Sequence, residues 1–212
     1  MRRVLIVDDH EVVRDGVKKL LEEQPEAEEI LCGEAGTPEE AIRSARASEW
    51  DVVILDLSFA GKSGLEVLKE LKQIRPRLPV LVLTMHSEEQ YARRAFKAGA
   101  AGFVTKDSPR AELFKAIHKV MEGGKYLSAA LAETLITDLE RGADRPPDET
   151  LSDREFQVMR LIASGKTLSE IAALLSLSDK TISTYRARLM EKMRMRTNAE
   201  LTYYAIQNKL VD

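Results

Sequence analysis

The sequence predicts an α/β chain: a doubly wound, five-stranded parallel sheet followed by a small all-α domain of four helices. Two observations carry this. Up to Val120, short β-branched runs alternate with amphipathic helical stripes, and such helix-length crossovers are what parallel neighbouring strands require. From Glu149 onward the strand signal is gone and helix-start signatures follow one another.

The strand runs fall at residues 4–7, 30–32, 52–55, 80–83 and 102–104. Between them, Val13, Val17, Leu20 and Leu21 form one helical stripe, Leu65, Leu68, Leu71 and Ile74 another, and Leu113, Ile117 and Val120 a third. Thr37 to Glu40 reads as a capping box with Pro38 in the first turn, and Ser87 to Gln90 as a second box. Trp50 is expected to anchor a helix end on the sheet, and Cys32 to be buried filler. After Gly123 and Gly124, Leu131, Leu135 and Leu139 keep helical spacing, and residues 141–148 offer nothing apolar but Ala143, which reads as a linker. The expected boundaries are thus 1–122, a connecting segment 123–148, and 149–212. In the last part Ser152, Thr167 and Thr197 each have Glu three residues on, and Ser178 can cap a fourth helix.

With 44% hydrophobic and 32% charged residues, the chain can bury proper cores, which excludes wholesale disorder. No run approaches the roughly 18 apolar residues of a membrane span, and Arg2 and Arg3 lead into a strand rather than a signal peptide, so a cytoplasmic protein without membrane partners is expected. A lone cysteine excludes an intrachain disulfide and a cysteine zinc cluster. The net charge of −3 hides an asymmetry. The acidic excess precedes Glu149, whereas Lys180, Arg186, Arg188, Lys192, Arg194 and Arg196 face only Glu191.

Asp8 and Asp9 follow the first strand, Asp56 the third, Thr84 ends the fourth and Lys106 follows the fifth. In a doubly wound sheet these positions share one rim, so three carboxylates, a hydroxyl and an ammonium meet in one crevice. Carboxylates that close repel unless a cation sits among them, and oxygen donors without His or Cys point to Mg²⁺. A carboxylate held this way can accept a phosphoryl group as a nucleophile, helped by charge neutralisation from Lys106 and Thr84. Each residue alone also has an ordinary reading, as a cap or a solvated surface charge.

With Val7-Asp8-Asp9-His10, Leu55-Asp56-Leu57, Leu83-Thr84-Met85-His86 and Phe103-Val104-Thr105-Lys106, the first 120 or so residues resemble the receiver domains of two-component systems, which have a flavodoxin-like fold. The resemblance implies that Asp56 accepts a phosphoryl group from a sensor histidine kinase. It further implies that Asp8, Asp9, Asp56 and the backbone carbonyl of Ser58 hold Mg²⁺, and that Thr84 and Lys106 grip the phosphoryl oxygens. Phe103 stands where such domains keep a switch aromatic that moves with Thr84, and core packing is the alternative for it. Where receivers commonly have proline after the acceptor, this chain has Phe59-Ala60-Gly61, which should loosen the loop, with Gly61 and Gly64 permitting its turns. Ser58 and His86, two residues beyond Asp56 and Thr84, are expected to tune hydrolysis; His10 and His118 read as a helix-start and a helix-surface residue, neither with ligand spacing.

Residues 167–175 and 179–194 form two helices around a tight turn at Ser176, Leu177 and Ser178, which fits a helix-turn-helix. Leu151 to Glu155, Gly165 to Thr167, Glu170 to Ala172 and Ser178 to Arg186 resemble the LuxR-type motif of the NarL/FixJ family, over almost the whole last domain. The likeness implies a regulator of transcription that binds double-stranded DNA as a dimer once phosphorylated. Lys180, Thr181, Tyr185, Arg186 and Arg188 would touch phosphates; Ser183, Thr184 and Ala187 would face base edges. Tyr185 replaces a common His. Ala199, Tyr203 and Ile206 are either dimer contacts or core. An enzyme acting on outside substrates is one rival reading, and a regulator that keeps the pocket but dimerises independently of phosphorylation is the other. Haloacid-dehalogenase enzymes carry a second Asp two residues past the nucleophile, where this chain has Ser58.

Overall fold

The computed structural model describes residues 2–23, 30–59, 62–85, 88–129, 131–133, 146–208 and 210–211, and the chain divides into two compact units. In the first, β1 (Arg2–Val7), β2 (Ile30–Ala35), β3 (Val52–Leu55), β4 (Val80–Thr84) and β5 (Gly102–Thr105) alternate with α1 (Glu11–Glu22), α2 (Pro38–Ala47), α3 (Gly64–Ile74), α4 (Glu88–Lys97) and α5 (Arg110–Met121). The strands form one parallel sheet in the order β2-β1-β3-β4-β5, the doubly wound architecture the sequence predicts. Strand side chains alternate between faces. Val4, Ile6, Val52, Ile54, Leu81, Leu83 and Val104 meet Val17 and Leu21 of α1 and Ala116, Ile117 and Val120 of α5. The opposite set, Leu5, Val53, Leu55, Val82 and Phe103, is equally buried, on the side covered by α2, α3 and α4. Each such side chain contributes roughly 1.5–3 kcal/mol, which is what holds strands of four to six residues in place.

Several local expectations change. The first core does not stop at residue 122: Tyr126 is buried in it, bridges to Gly102, takes a backbone bond from Phe103 and donates its hydroxyl to Glu112 at 2.9 Å. Cys32 is only half-buried, because β2 is an edge strand. Thr37 caps α2 through the Glu40 amide, but the Glu40 carboxylate takes the Gly36 amide at 2.8 Å instead of closing a capping box on Thr37. Gly64 has no unusual φ; it is glycine because a Cβ there would lie 2.3 Å from the Leu57 Cα, so α3 starts directly on the chain leaving β3. Trp50 does anchor α2, donating from Nε1 to the Ser44 carbonyl at 3.2 Å and lying where a Cβ on Gly33 would be. Leu135, Leu139, Gly61, His86 and the Ser87 box lie outside the described residues.

The second unit opens on a 3-10 turn, Pro147–Thr150, followed by α6 (Asp153–Ala163), α7 (Leu168–Leu174), α8 (Asp179–Met193) and α9 (Asn198–Gln207). Helices this short are marginal alone and need caps and packing. Ser152, Thr167 and Thr197 close reciprocal capping boxes, and Ser178 accepts from the Thr181 amide. Phe156, Met159, Ile171, Ile182, Leu189 and Leu201 fill the centre. Asp148, expected in the linker, is instead buried and accepts the Tyr204 hydroxyl at 2.6 Å, so the folded second unit begins before Glu149. Among the described residues no helix is long and apolar enough to cross a membrane.

Glu155 on α6 is buried and takes the Lys192 ammonium of α8 at 2.6 Å. Burial alone would raise the carboxyl pKa, but the hydrogen bonds from Lys192 and Ser152 outweigh it and the net shift is downward. A carboxyl lowered on folding stabilises above its unfolded pKa and loses that contribution as pH falls through the lowered folded value. Urea unfolding of wild type and Glu155→Gln should therefore show a stability gap at neutral pH that closes as the pH is taken down below the ordinary glutamate range. A pH-independent gap would mean that packing, not charge, makes the difference.

Candidate phosphorylation pocket and nucleic-acid interface

Because β1 and β3 are neighbours, the residues that leave them stand side by side. The Asp8 amide bonds the Ala35 carbonyl at 3.1 Å and the Asp56 amide the Val7 carbonyl at 2.9 Å, extending the ladder one step and turning both carboxylates into the crevice. Lys106 leaves β5 with its own amide on the Thr84 carbonyl at 2.8 Å. Its ammonium reaches Asp8 Oδ2 at 2.7 Å and Asp56 Oδ2 at 2.9 Å. Asp8 and Asp56 are 3% and 1% exposed, and Thr84 is fully buried. The other Asp56 oxygen accepts the Leu57 amide at 2.7 Å.

Burial pushes the Asp56 carboxyl pKa up and the Asp8 charge adds to the push, while Lys106 pulls the other way without prevailing. Burial likewise disfavours the Lys106 ammonium, but its bonds to Asp8 and Asp56 win and its pKa rises. Asp56 is thus a carboxylate under electrostatic pressure, held in one orientation.

The structure brings Asp8, Asp9, Asp56 and Lys106 together and adds a residue the sequence reading set aside. His10 does sit at a helix start, as the N-cap of α1, but its Nδ1 lies 2.8 Å from Asp9 Oδ1 and 3.2 Å from Asp8 Oδ1. Donor atoms of Asp8, Asp9, His10 and Asp56 all lie within 4.8 Å of one another. Three carboxylates against one ammonium leave two negative charges, which suits a divalent cation. Arg14 braces the cluster by donating to the Asp8 carbonyl at 2.8 Å and to Glu34 at 3.1 Å. No spacing rule finds either residue; for His10 the one signal is adjacency to Asp9, and for Arg14 there is none. Phe103 is fully buried, and the pairing of Val82 with Phe103 and of Thr84 with Thr105 sets it on the same sheet face as Thr84. Phe59 is buried too, an apolar anchor in the loop that lacks proline.

In the second unit, Leu175 ends α7 and Ser176 adopts a left-handed φ of 52°, while the Leu177 amide returns to the Ala172 carbonyl at 2.9 Å. This makes the turn tight enough for α8 to cross α7, and Ser169 Oγ fastens it by donating to Asp179 at 2.7 Å. Ile182, Leu189 and Met193 of α8 are buried as expected. Lys180, Ser183, Thr184, Ala187 and Arg188 are exposed, and Thr181, Tyr185 and Arg186 are half-buried. Two details qualify the basic face. Lys192 is engaged by Glu155, and Arg186 Nε donates to Asn198 Oδ1 at 2.9 Å, which fixes its guanidinium. The Thr184 hydroxyl donates to the Lys180 carbonyl at 2.9 Å. On α9, Tyr203 and Ile206 are 68% and 54% exposed and Ala199 is exposed, so these three are not core.

Comparison with known proteins agrees with both halves. Residues 4–118 match the response regulator receiver domain, and residues 149–205 match the luxR family of bacterial regulatory proteins. The response regulator UvrY of Escherichia coli (strain K12) is 34% identical over 211 residues, 99% of this chain and 96% of that protein. The response regulator GacA of Pseudomonas aeruginosa is 34% identical over 213 residues, 100% of this chain and 99% of the relative. The structure of RcsB from Salmonella enterica serovar Typhimurium bound to promoter rprA in the presence of phosphomimetic BeF3- aligns with a TM-score of 0.63 at 28% identity, covering 96% of this chain and 98% of that one. With a receiver-type acid pocket in one unit and a luxR-type helix-turn-helix in the other, the chain belongs to the two-component response regulators that carry a LuxR-type DNA-binding domain.

Proposed function

We propose that this regulator is switched by phosphorylation of Asp56, and the observation that carries the reading is the clamp of Lys106 across Asp8 and Asp56. Asp56 Oδ attacks the phosphorus of a phosphohistidine on a sensor kinase; the P–N bond breaks and its electron pair stays on the imidazole nitrogen. The Lys106 ammonium transfers one contact from the Asp56 carboxylate to a phosphoryl oxygen, and the Thr84 hydroxyl turns to donate to another. Asp8, Asp9, Asp56 and the Ser58 carbonyl are the residues that would hold Mg²⁺, which when bound neutralises charge on the transferring group. Phe103, on the face of Thr84, fills the space that Thr84 leaves and carries the change outward. No external substrate is turned over. The receiver and DNA-binding domains move apart in the process, joined through the segment between Tyr126 and Asp148, and the protein works in the cytoplasm.

The output is dimeric binding to double-stranded DNA. Lys180, Thr181, Tyr185, Arg186 and Arg188 contact phosphates, Ser183, Thr184 and Ala187 face the bases, and Ala199, Tyr203 and Ile206 join the two copies. The exposure of Lys180, Ser183, Thr184, Ala187 and Arg188 on α8 and of Ala199, Tyr203 and Ile206 on α9 supports the reading, as does the promoter-bound structure of RcsB.

Acetyl phosphate with Mg²⁺ should tighten binding of wild type to DNA selected from a random pool and raise its sedimentation coefficient, while Asp56→Ala responds in neither assay. Equal responses from both proteins would leave DNA binding standing without phosphorylation control. Separately, Arg188→Ala should weaken binding about equally on selected and unrelated DNA and reduce the slope of log K against log salt by about 1. A loss confined to selected DNA would reassign Arg188 to base reading.

A further inference from the structure

We propose that His10 is a nitrogen donor to the cation of the phosphorylation pocket, so that the site favours first-row transition ions over Mg²⁺ more strongly than an all-oxygen site would. The inference rests on the phosphorylation reading of that pocket. An octahedral ion with bonds of about 2.1 Å has adjacent donors about 3 Å apart and opposite donors a little over 4 Å apart. His10 Nδ1 lies 2.8 Å from Asp9 Oδ1 and 3.2 Å from Asp8 Oδ1, and the whole donor group spans no more than 4.8 Å. The two shorter separations are those of adjacent donors in one coordination sphere, and the span is within about 0.6 Å of its diameter.

The imidazole is also held where it is needed, and its side-chain contacts are with the acids themselves. The His10 amide donates to Asp8 Oδ1 at 2.9 Å, which turns the N-cap residue back over the acids. Its side chain makes no capping bond to α1 and is 67% exposed, so neither helix nor core depends on it. Lys106 occupies Oδ2 of both Asp8 and Asp56, which leaves Asp8 Oδ1 and Asp9 on the side that His10 faces. Imidazole suits later first-row divalent ions, whose affinities rise along the Irving–Williams order, whereas Mg²⁺ keeps oxygen donors and its waters.

The test uses untagged full-length protein and His10→Asn, since Asn is a favoured N-cap residue and preserves the helix start. Calorimetry should show Co²⁺ affinity falling about tenfold in His10→Asn while Mg²⁺ affinity stays within about twofold. Pulsed electron paramagnetic resonance of Mn²⁺ bound to the wild type should show a directly coordinated nitrogen that is absent from His10→Asn. If Mg²⁺ and acetyl phosphate still modify Asp56 but Co²⁺ binds both proteins alike and Mn²⁺ shows no nitrogen, His10 only orients the carboxylates and the inference falls alone. If no divalent ion binds and Asp56 is not modified, the phosphorylation reading falls with it.

Discussion

Two nearly buried carboxylates at the end of a parallel sheet are a liability, and the ammonium of Lys106 is what makes them tolerable. The strand order decides how that ammonium arrives. β1 and β3 are adjacent, so Asp8 and Asp56 emerge together, but β5 lies two strands from β3, a gap of roughly 10 Å at ordinary sheet spacing. Only a long side chain spans it, and β4 between them delivers Thr84 to the middle of the same crevice. Arg14, Leu57 and His10 then fix the remaining polar atoms of the acids. Removing the carboxylates' partner would leave uncompensated charge in a low-dielectric site, whereas adding a divalent ion completes the balance.

The second unit solves a different problem with smaller means. Four short helices cannot be held by propensity, so serine and threonine hydroxyls cap each one and Glu155 ties α6 to α8 through Lys192. The same tie withdraws one cation from the basic segment. What is left for a polyanion is narrower than the sequence suggests by that one charge: exposed Lys180, Arg188, Arg194 and Arg196, and an Arg186 held by Asn198 at the start of α9. That hydrogen bond joins the helix proposed to face DNA with the helix that exposes Tyr203 and Ile206.

Much of this was legible beforehand because period and chemistry coincide. β-branched runs placed the five strands, and residues of matched chemistry at strand ends located the pocket. What escaped has physical reasons in each case. Tyr126 follows Gly123 and Gly124 with no periodic apolar neighbours, so nothing marks it as core until it pairs with Gly102. Asp148 sits in a run defined by lacking apolar residues, and its partner Tyr204 is 56 residues away. His10 has no ligand spacing because it borders the acids directly, and only the turn into α1 brings its ring back to them. Thr37 and Glu40 have capping-box spacing, yet the free Gly36 amide competes for the same carboxylate. Gly64 looked like a turn residue and is a contact residue.

The proposed switch can be weighed against what these contacts are worth. Moving a two-state equilibrium from one part in a hundred to ninety-nine requires about 5.5 kcal/mol of differential stabilisation. A hydrogen bond to a charged group contributes roughly 1.5–3 kcal/mol. Under the proposed mechanism Lys106 exchanges its bond to the Asp56 carboxylate for one to a phosphoryl oxygen, so the bond newly gained is the one from Thr84, at most about half of what is required. Under the same mechanism the remainder comes from the repacking that follows Thr84 and from the contacts between two copies. Of Lys106 and Thr84, only Thr84 shares a sheet face with Phe103, so the Lys106 bond holds the phosphoryl group while the Thr84 bond converts its presence into a rearrangement of the packed face.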